Sequence, residues 1–311
     1  MNTYKAIITI FAILFNLIIL LFPKEIIKAT ENGLLLWYKY ALPSLFPFMI
    51  GINFLKSTPF PLWLSKALKP ITSRLFNIKG YGTFAIISGF LSGYPIGAKT
   101  VCDLYRENKL SKSEAQYLIS FTNNSGPLFI IGTVGIAMLK SKGIGYYLLI
   151  IHYISAVIIG LLTNKPKSSI YNRSTYSNFS FWDNIRESLT NSINSIVGVG
   201  GYIILFSIIC SITTIILDKT NLALSQSAMG LIYSILEVTN GCKALSNISQ
   251  LNISIISGAI AFGGLSIQCQ SISYISQSDL SIKKYFITKV FQGLISFGLC
   301  FFSYRYFTHL F

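Results

Sequence analysis

The sequence predicts an all-α, polytopic membrane protein, and three observations carry the prediction. Of 311 residues, 52% are hydrophobic and only 11% charged, whereas a soluble globular chain is typically about a quarter charged. Mean hydropathy is +0.59. The apolar residues gather in runs near the roughly 20 residues that a helix needs to cross a bilayer. This composition excludes a water-soluble enzyme.

The first run, Ala6 to Phe22, is flanked by Lys5 and Lys24 and stopped by Pro23. No small-residue cleavage site follows, so it reads as a retained span. Glu25 to Tyr40 mixes charges with Ile26, Ile27 and Leu34 to Trp37, the pattern of an interfacial amphipathic helix. Pro43 and Pro47 open an apolar segment, Leu42 to Leu55, that is short for a crossing. Lys56 to Gly80 holds five basic residues and no acidic one, which places it on the cytoplasmic side. Its PLWLSKALKPITSRLF portion reads as a basic helix lying on the membrane.

Tyr81 to Val101 is apolar yet carries Gly82, Gly89, Gly93, Pro95 and Gly97. Such a run predicts a broken or re-entrant helix, since irregular backbone at membrane depth survives only where it lines a protein cavity. Ser111 to Glu114 has capping-box spacing and starts the next helix. That helix is interrupted at Thr122 to Pro127, and the apolar run resumes at Leu128 to Leu139. Ile144 to Leu162 is a clean span, and Thr163 to Ser180 reads as a linker.

The plan then starts again. Phe181 to Asn194 is amphipathic, Ser195 to Leu217 is a span, an apolar helix breaks at Glu237 to Lys243, Ile253 to Ile267 breaks at Gly263-Gly264, and Tyr285 to Phe307 spans. The chain therefore divides into a first repeat (1–163), a linker (164–180) and a second repeat (181–311). Paired interrupted segments in two halves point to a secondary transporter's binding site.

Net charge is +15, but the basic residues sit in short gaps between apolar runs, as in cytoplasmic loops and lipid-headgroup contacts. Nucleic acid is not an expected partner; the bilayer is. The five cysteines form no ligand-spaced pair, so neither a disulfide framework nor a metal site is expected. No Ser-His-Asp order, Walker loop or paired catalytic carboxylates appear, and no catalytic residue or cofactor is expected.

Candidate substrate-binding residues lie at the interruptions. Glu237 is the only acidic residue between Asp218 and Asp279; it reads as a substrate acceptor or a proton or cation coupling site, or as a structural partner of Lys243 or Lys99. Lys99 suits an anion's counter-charge, or snorkels to the headgroups. Ser92, Tyr94 and Gly97 precede it in one polar break. Asn123, Asn124 and Ser125 supply amides and a hydroxyl where an apolar run stops; a plain turn has the same composition. Thr239 and Asn240 follow Glu237, and Ser266, Gln268 and Gln270 follow the second-half glycine pair. Asp103, Arg106 and Glu107 have the spacing of a solvated cluster. His152 reads as a packed neutral or headgroup-level histidine.

Three motifs, Ser92-Gly-Tyr-Pro-Ile-Gly-Ala-Lys99, Asn123-Asn-Ser-Gly-Pro127 and Glu237-Val-Thr-Asn-Gly241, resemble the sporulation integral membrane protein family. Its stage V dipicolinate transporters fall in the nucleoside-recognition Gate domain superfamily. The resemblance covers nearly the whole chain. It implies a fold similar to concentrative nucleoside transporters, with two inverted repeats, re-entrant hairpins and broken helices meeting at the substrate. It also implies movement of dipicolinate across the outer forespore membrane, from mother cell towards forespore. A small aromatic dianion suits Lys99, Lys243, Tyr94 and the asparagine amides. A non-transporting sporulation scaffold and a nucleoside transporter stand as alternatives. The coupling ion, the exact substrate and a homo-oligomeric state are left open.

Overall fold

The computed structural model describes residues 3–166, 180–220, 223–247 and 249–307. Among them there are helices and no strands. Most of the expected linker, residues 167–179, lies outside the described residues.

The first helix, α1 (Thr3–Leu21), leaves Ile7, Phe11, Leu14 and Leu21 exposed, as suits a helix facing lipid. The next stretch corrects the expectation of an interfacial helix followed by a short apolar segment. Residues Pro23–Lys56 form one helix of 34 residues, α2. Its continuity rests on a π-turn at Trp37–Ala41, where the Leu42 N–H reaches back five residues to the Trp37 carbonyl. Pro43 has no N–H to donate and its ring crowds the turn before it; a widened coil absorbs both without ending the helix. The second half is corrected likewise. Phe181–Asn194 and the span after it merge into α9 (Phe181–Lys219), 39 residues long, or roughly 58 Å at 1.5 Å per residue.

These two long helices lie against one another. The Trp37 indole N–H donates to the Ile196 carbonyl at 3.0 Å, and Asn53 donates to Ser192 Oγ at 2.9 Å. Gly33 lets the backbones meet, since a Cβ there would stand 2.8 Å from Ile204 Cα. The polar residues of the expected amphipathic segment, Asn184, Ser188 and Ser192, are buried in the chain's own packing, as is Ser195 after it.

The basic amphipathic segment is α3 (Phe60–Phe76), with Pro61, Ser65, Thr72 and Phe76 buried. Lys66, Lys69 and Arg74 are exposed. Four interrupted pairs follow around two unbroken helices. α4 (Tyr81–Ser92) and α5 (Ile96–Arg106) flank a break at residues 93–95. α6 (Lys112–Thr122) and α7 (Leu128–Met138, wound as a π-helix) flank residues 123–127. α8 (Lys142–Leu162) is unbroken. α10 (Gln226–Leu236) and α11 (Val238–Ala244) part at Glu237 alone, so the expected interruption reaching Lys243 is mostly helix. α12 (Gln250–Phe262) and α13 (Gly264–Ile275) part at Gly263, and α14 (Ile282–Phe307) closes the chain.

Gly93, Gly263 and Gly264 adopt φ of +86°, +91° and +69°, a region open to glycine and costly for other residues. The capping box at Ser111 and Glu114 forms as the spacing indicates, with Ser111 Oγ accepting from the Glu114 N–H. Among the described residues, five helices are long and apolar enough to cross a membrane: α2, α8, α9, the α12–α13 pair and α14. The protein is thus an all-α polytopic membrane protein.

Candidate functional site

The break between α6 and α7 is held by side chains from three other helices. Asn123 and Asn124 are wholly buried, where unpaired polar groups cost free energy and partners are needed. Asn123 Oδ1 accepts the Ala98 N–H at 3.1 Å, so it caps the first turn of α5. Its Nδ2 donates to Ser271 Oγ and Tyr285 Oη at 2.8 and 2.9 Å. The Asn123 carbonyl accepts Lys289 Nζ at 2.7 Å. Asn124 Oδ1 accepts from Gln292 Nε2 at 3.0 Å, and the Ser125 N–H donates to His152 Nε2 at 3.0 Å. Side chains from α8, α13 and α14 therefore hold five residues that carry no helical hydrogen-bond ladder of their own.

Lys289 is fully buried. Its Nζ contacts the Asn123 carbonyl, Gln292 Oε1 at 2.5 Å and the face of the Tyr94 ring, 4.8 Å from the centroid. Among the described residues no carboxylate lies within 4.0 Å of it. Burying a cation costs several kcal/mol, which neutral acceptors offset only in part.

Glu237 is buried as well, at 1% exposure. Its carboxylate accepts three N–H groups: Thr239 N at 3.1 Å, Asn240 N at 2.7 Å and Asn240 Nδ2 at 3.1 Å. Asn240 also donates to Ser207 Oγ at 3.0 Å and accepts from Asn32 at 3.3 Å, tying the group to α9 and α2. No lysine or arginine pairs with Glu237 among the described residues, so a bridge to Lys243 or Lys99 does not form.

Between these groups lies a cavity of about 40 Å³, room for a water molecule or two. Tyr94, Ser125, Gly126, Glu237, Thr239 and Gln270 line it, with apolar walls from Ala41, Leu45, Val199 and Ile203 on the long helices. Three of the four breaks contribute. Tyr94 comes from the α4–α5 break, Ser125 and Gly126 from α6–α7 and Glu237 from α10–α11. The α12–α13 break approaches through Tyr94, whose hydroxyl donates to the Ala261 carbonyl at 2.8 Å.

Of the residues expected at the site, Tyr94, Ser125, Glu237, Thr239 and Gln270 line the cavity. Asn123, Asn124 and Asn240 stand directly behind it through the bonds above. Ser92 is buried and donates to the Ser88 carbonyl at 2.7 Å. Gly97 is a packing position, where a Cβ would meet the Thr122 carbonyl at 2.5 Å. Ser266 accepts weakly from Gln270, at 3.4 Å. Gln268 donates to the Phe262 carbonyl and leaves its own Oε1 without a partner.

The two lysines expected there lie elsewhere. Lys99 pairs with Asp103 at 3.0 Å, one turn on, and Asp103 also takes Lys56 and Arg106 at 3.4 and 2.6 Å. Lys243 is exposed. Their helices start at the breaks but carry these side chains outward. The expected Asp103, Arg106 and Glu107 cluster forms and draws in Lys56 and Lys99.

Lys289, Gln292 and Tyr285 were read only as parts of a span. The signal that finds them is spacing: Tyr285, Lys289, Gln292, Ser296 and Cys300 form one wholly buried stripe on α14, at the three- and four-residue steps of a single helix face. His152 is likewise more than a packed histidine, since it holds the Ser125 amide while its Nδ1 has no partner.

No cluster of three or more His, Cys, Asp or Glu side chains suited to a metal ion occurs among the described residues. The fold and the site define a polytopic helical membrane protein whose broken helices meet at a small, largely apolar cavity with a few polar groups in its wall. The profile of the Gate family, described as nucleoside recognition, matches residues 38–142, which hold both breaks of the first half. The chain is 29% identical over 309 residues to the sporulation integral membrane protein YlbJ of Bacillus subtilis (strain 168), covering 88% of this chain and 76% of that protein. No solved structure matches. The chain is therefore similar to a sporulation integral membrane protein and carries a Gate-family match over residues 38–142.

Proposed function

We propose that this protein is an alternating-access transporter of a small organic anion. On this reading its two halves are inverted repeats and the interrupted helices act as re-entrant elements. The observation that carries the reading is the meeting of breaks from both halves at one cavity, beside a buried lysine with no carboxylate of its own. A cation in that position favours an anionic solute, because the solute's charge completes the pair only when bound. The resemblance to stage V dipicolinate transporters supplies the substrate: dipicolinate, carried across the outer forespore membrane from mother cell towards forespore. A cavity of about 40 Å³ is far smaller than an aromatic dicarboxylate, so the form described here is a closed one. Glu237, buried in the lining of the same cavity, is the place for a coupling proton or cation.

The test is uptake of labelled dipicolinate by vesicles holding the purified protein, together with the dipicolinate content of spores. Glu237→Ala and Asn124→Ala are expected to abolish accumulation while protein still reaches the membrane. Normal accumulation in both variants would overturn the reading. Uptake of labelled uridine that dipicolinate fails to compete would assign the site to nucleosides instead, the class named in the Gate family's description.

A further inference from the structure

We propose that Lys289 is the carboxylate-binding residue of the transport site and that the Tyr94 ring is the shutter over it; this rests on the anion-transport reading above. Lys289 does not line the cavity, whereas Tyr94 does. Tyr94 touches both, its ring face 4.8 Å from Lys289 Nζ. An aromatic face is a weak, neutral stand-in for an anion, and the other two ligands, a backbone carbonyl and a glutamine oxygen, are also neutral. Lys289 is therefore solvated by groups that a carboxylate outcompetes, and one ring touches both it and the solute space.

The shutter has the parts needed to move. Tyr94 follows Gly93, which sits at φ +86°. Its hydroxyl is held by the Ala261 carbonyl near the end of α12, just before Gly263 and Gly264, which have φ of +91° and +69°. A Cβ on Gly263 would stand 3.4 Å from the ring carbon bearing the hydroxyl, so the latch and the second-half break adjoin. Swinging the ring away would join the space it fills to the existing cavity and expose Nζ. An entering carboxylate would then take the ring's place, with Gln292 and the Asn123 carbonyl continuing to orient Lys289. The ligand class is a small carboxylate, and a dicarboxylate leaves its second group for the cavity side.

The experiment uses the full chain in vesicles for uptake and in detergent for calorimetric titration with dipicolinate. Lys289→Met is expected to raise KM for dipicolinate by roughly 10- to 100-fold, the factor that a hydrogen bond to a charged group carries. It should weaken the monocarboxylate picolinate by a similar factor, and Lys289→Arg should partly restore both. A KM within about twofold of the wild type in Lys289→Met overturns the proposal while uptake by the wild type leaves the transport reading standing. Should Lys289→Met fail to fold, Tyr94→Phe decides: it keeps the ring over Nζ but frees it from Ala261, so a several-fold lower KM or a faster uptake is expected, and no change in either overturns the shutter. Dipicolinate binding without uptake in the wild type would sink the transport reading and leave the carboxylate site; neither binding nor uptake sinks both.

Discussion

The ammonium of Lys289 sits 2.7 Å from the carbonyl of Asn123, a bond between a helix of the second half and a helix break of the first. It joins residues 166 positions apart. Gln292, one turn along α14, touches Lys289 Nζ at 2.5 Å and Asn124 Oδ1 at 3.0 Å, so one glutamine holds both the cation and the break. Gln292→Leu keeps the volume and removes both bonds, leaving a buried amide oxygen unpaired. A loss of about 1–3 kcal/mol is expected, read as a lower thermal midpoint in detergent.

His152 supplies a second support, accepting the Ser125 N–H at 3.0 Å. His152→Phe preserves a ring in the packed α8 face and leaves that amide without an acceptor. The expected cost is again about 1–3 kcal/mol. Because Ser125 lines the cavity, uptake should fall by more than the folded fraction does. Unchanged uptake per folded molecule would count against a role in shaping the site.

Close backbone contact makes a sharper contrast. A Cβ on Gly89 would lie 1.9 Å from the Thr122 carbonyl oxygen, while one on Gly298 meets nothing within 4 Å. Gly89→Ala must push α4 off the end of α6, at a cost near 3 kcal/mol, the upper end for overpacking. Gly298→Ala should be neutral or slightly stabilising, since alanine favours the helix. Comparable melting temperatures for the two variants would contradict the packing described here.

Acid should loosen the ionic clasp at the α5–α6 turn. Burial pushes the Glu107 carboxyl up, but Lys56 at 2.8 Å and Lys109 at 2.6 Å outweigh it and hold it below its ordinary value of 4.5. Asp279, bonded to Lys112 at 2.7 Å and to Tyr105 at 2.8 Å, is held below 3.8 in the same sense. A depressed carboxylate stabilises the fold above its unfolded-state value and stops doing so as pH falls through its folded value. Thermal stability is therefore expected to be flat from pH 7 to about 5 and to drop below about 4. Glu107→Gln combined with Asp279→Asn should flatten that acid limb.

Much of this architecture could be read in the sequence because glycine, proline and asparagine inside apolar runs leave few alternatives to a broken helix. Glu237 stood out as a lone carboxylate in such a run. The continuity of α2 and α9 could not be read the same way. Hydropathy reports where side chains prefer to be, and the polar residues of α9 face α2, not water: Asn53 meets Ser192, and Asn184 meets the Phe54 carbonyl. Lys289 was hidden by its neighbours, since Lys283 and Lys284 make the start of α14 look like a basic flank. Lys99 misleads for the opposite reason: its place after a glycine-rich break suggests a counter-charge for an anion, while its partner Asp103 lies one helical turn away.

Those placements separate the three charged candidates by experiment. Glu237→Gln keeps the volume and one acceptor oxygen but presents an amide to donors from Thr239 and Asn240, so dipicolinate uptake should fall at least tenfold with little change in membrane abundance. Glu237→Ala additionally strips α11 of its cap, adding a loss of about 0.5–2 kcal/mol. Lys243→Ala, at an exposed position, should leave uptake and stability alone. Lys99→Met removes one of three cations from Asp103; with Lys56 and Arg106 remaining, a loss under about 1 kcal/mol is expected, and KM should not move. A large KM effect in Lys99→Met alone would return that lysine to the substrate and require the α4–α5 break to turn inside out during transport.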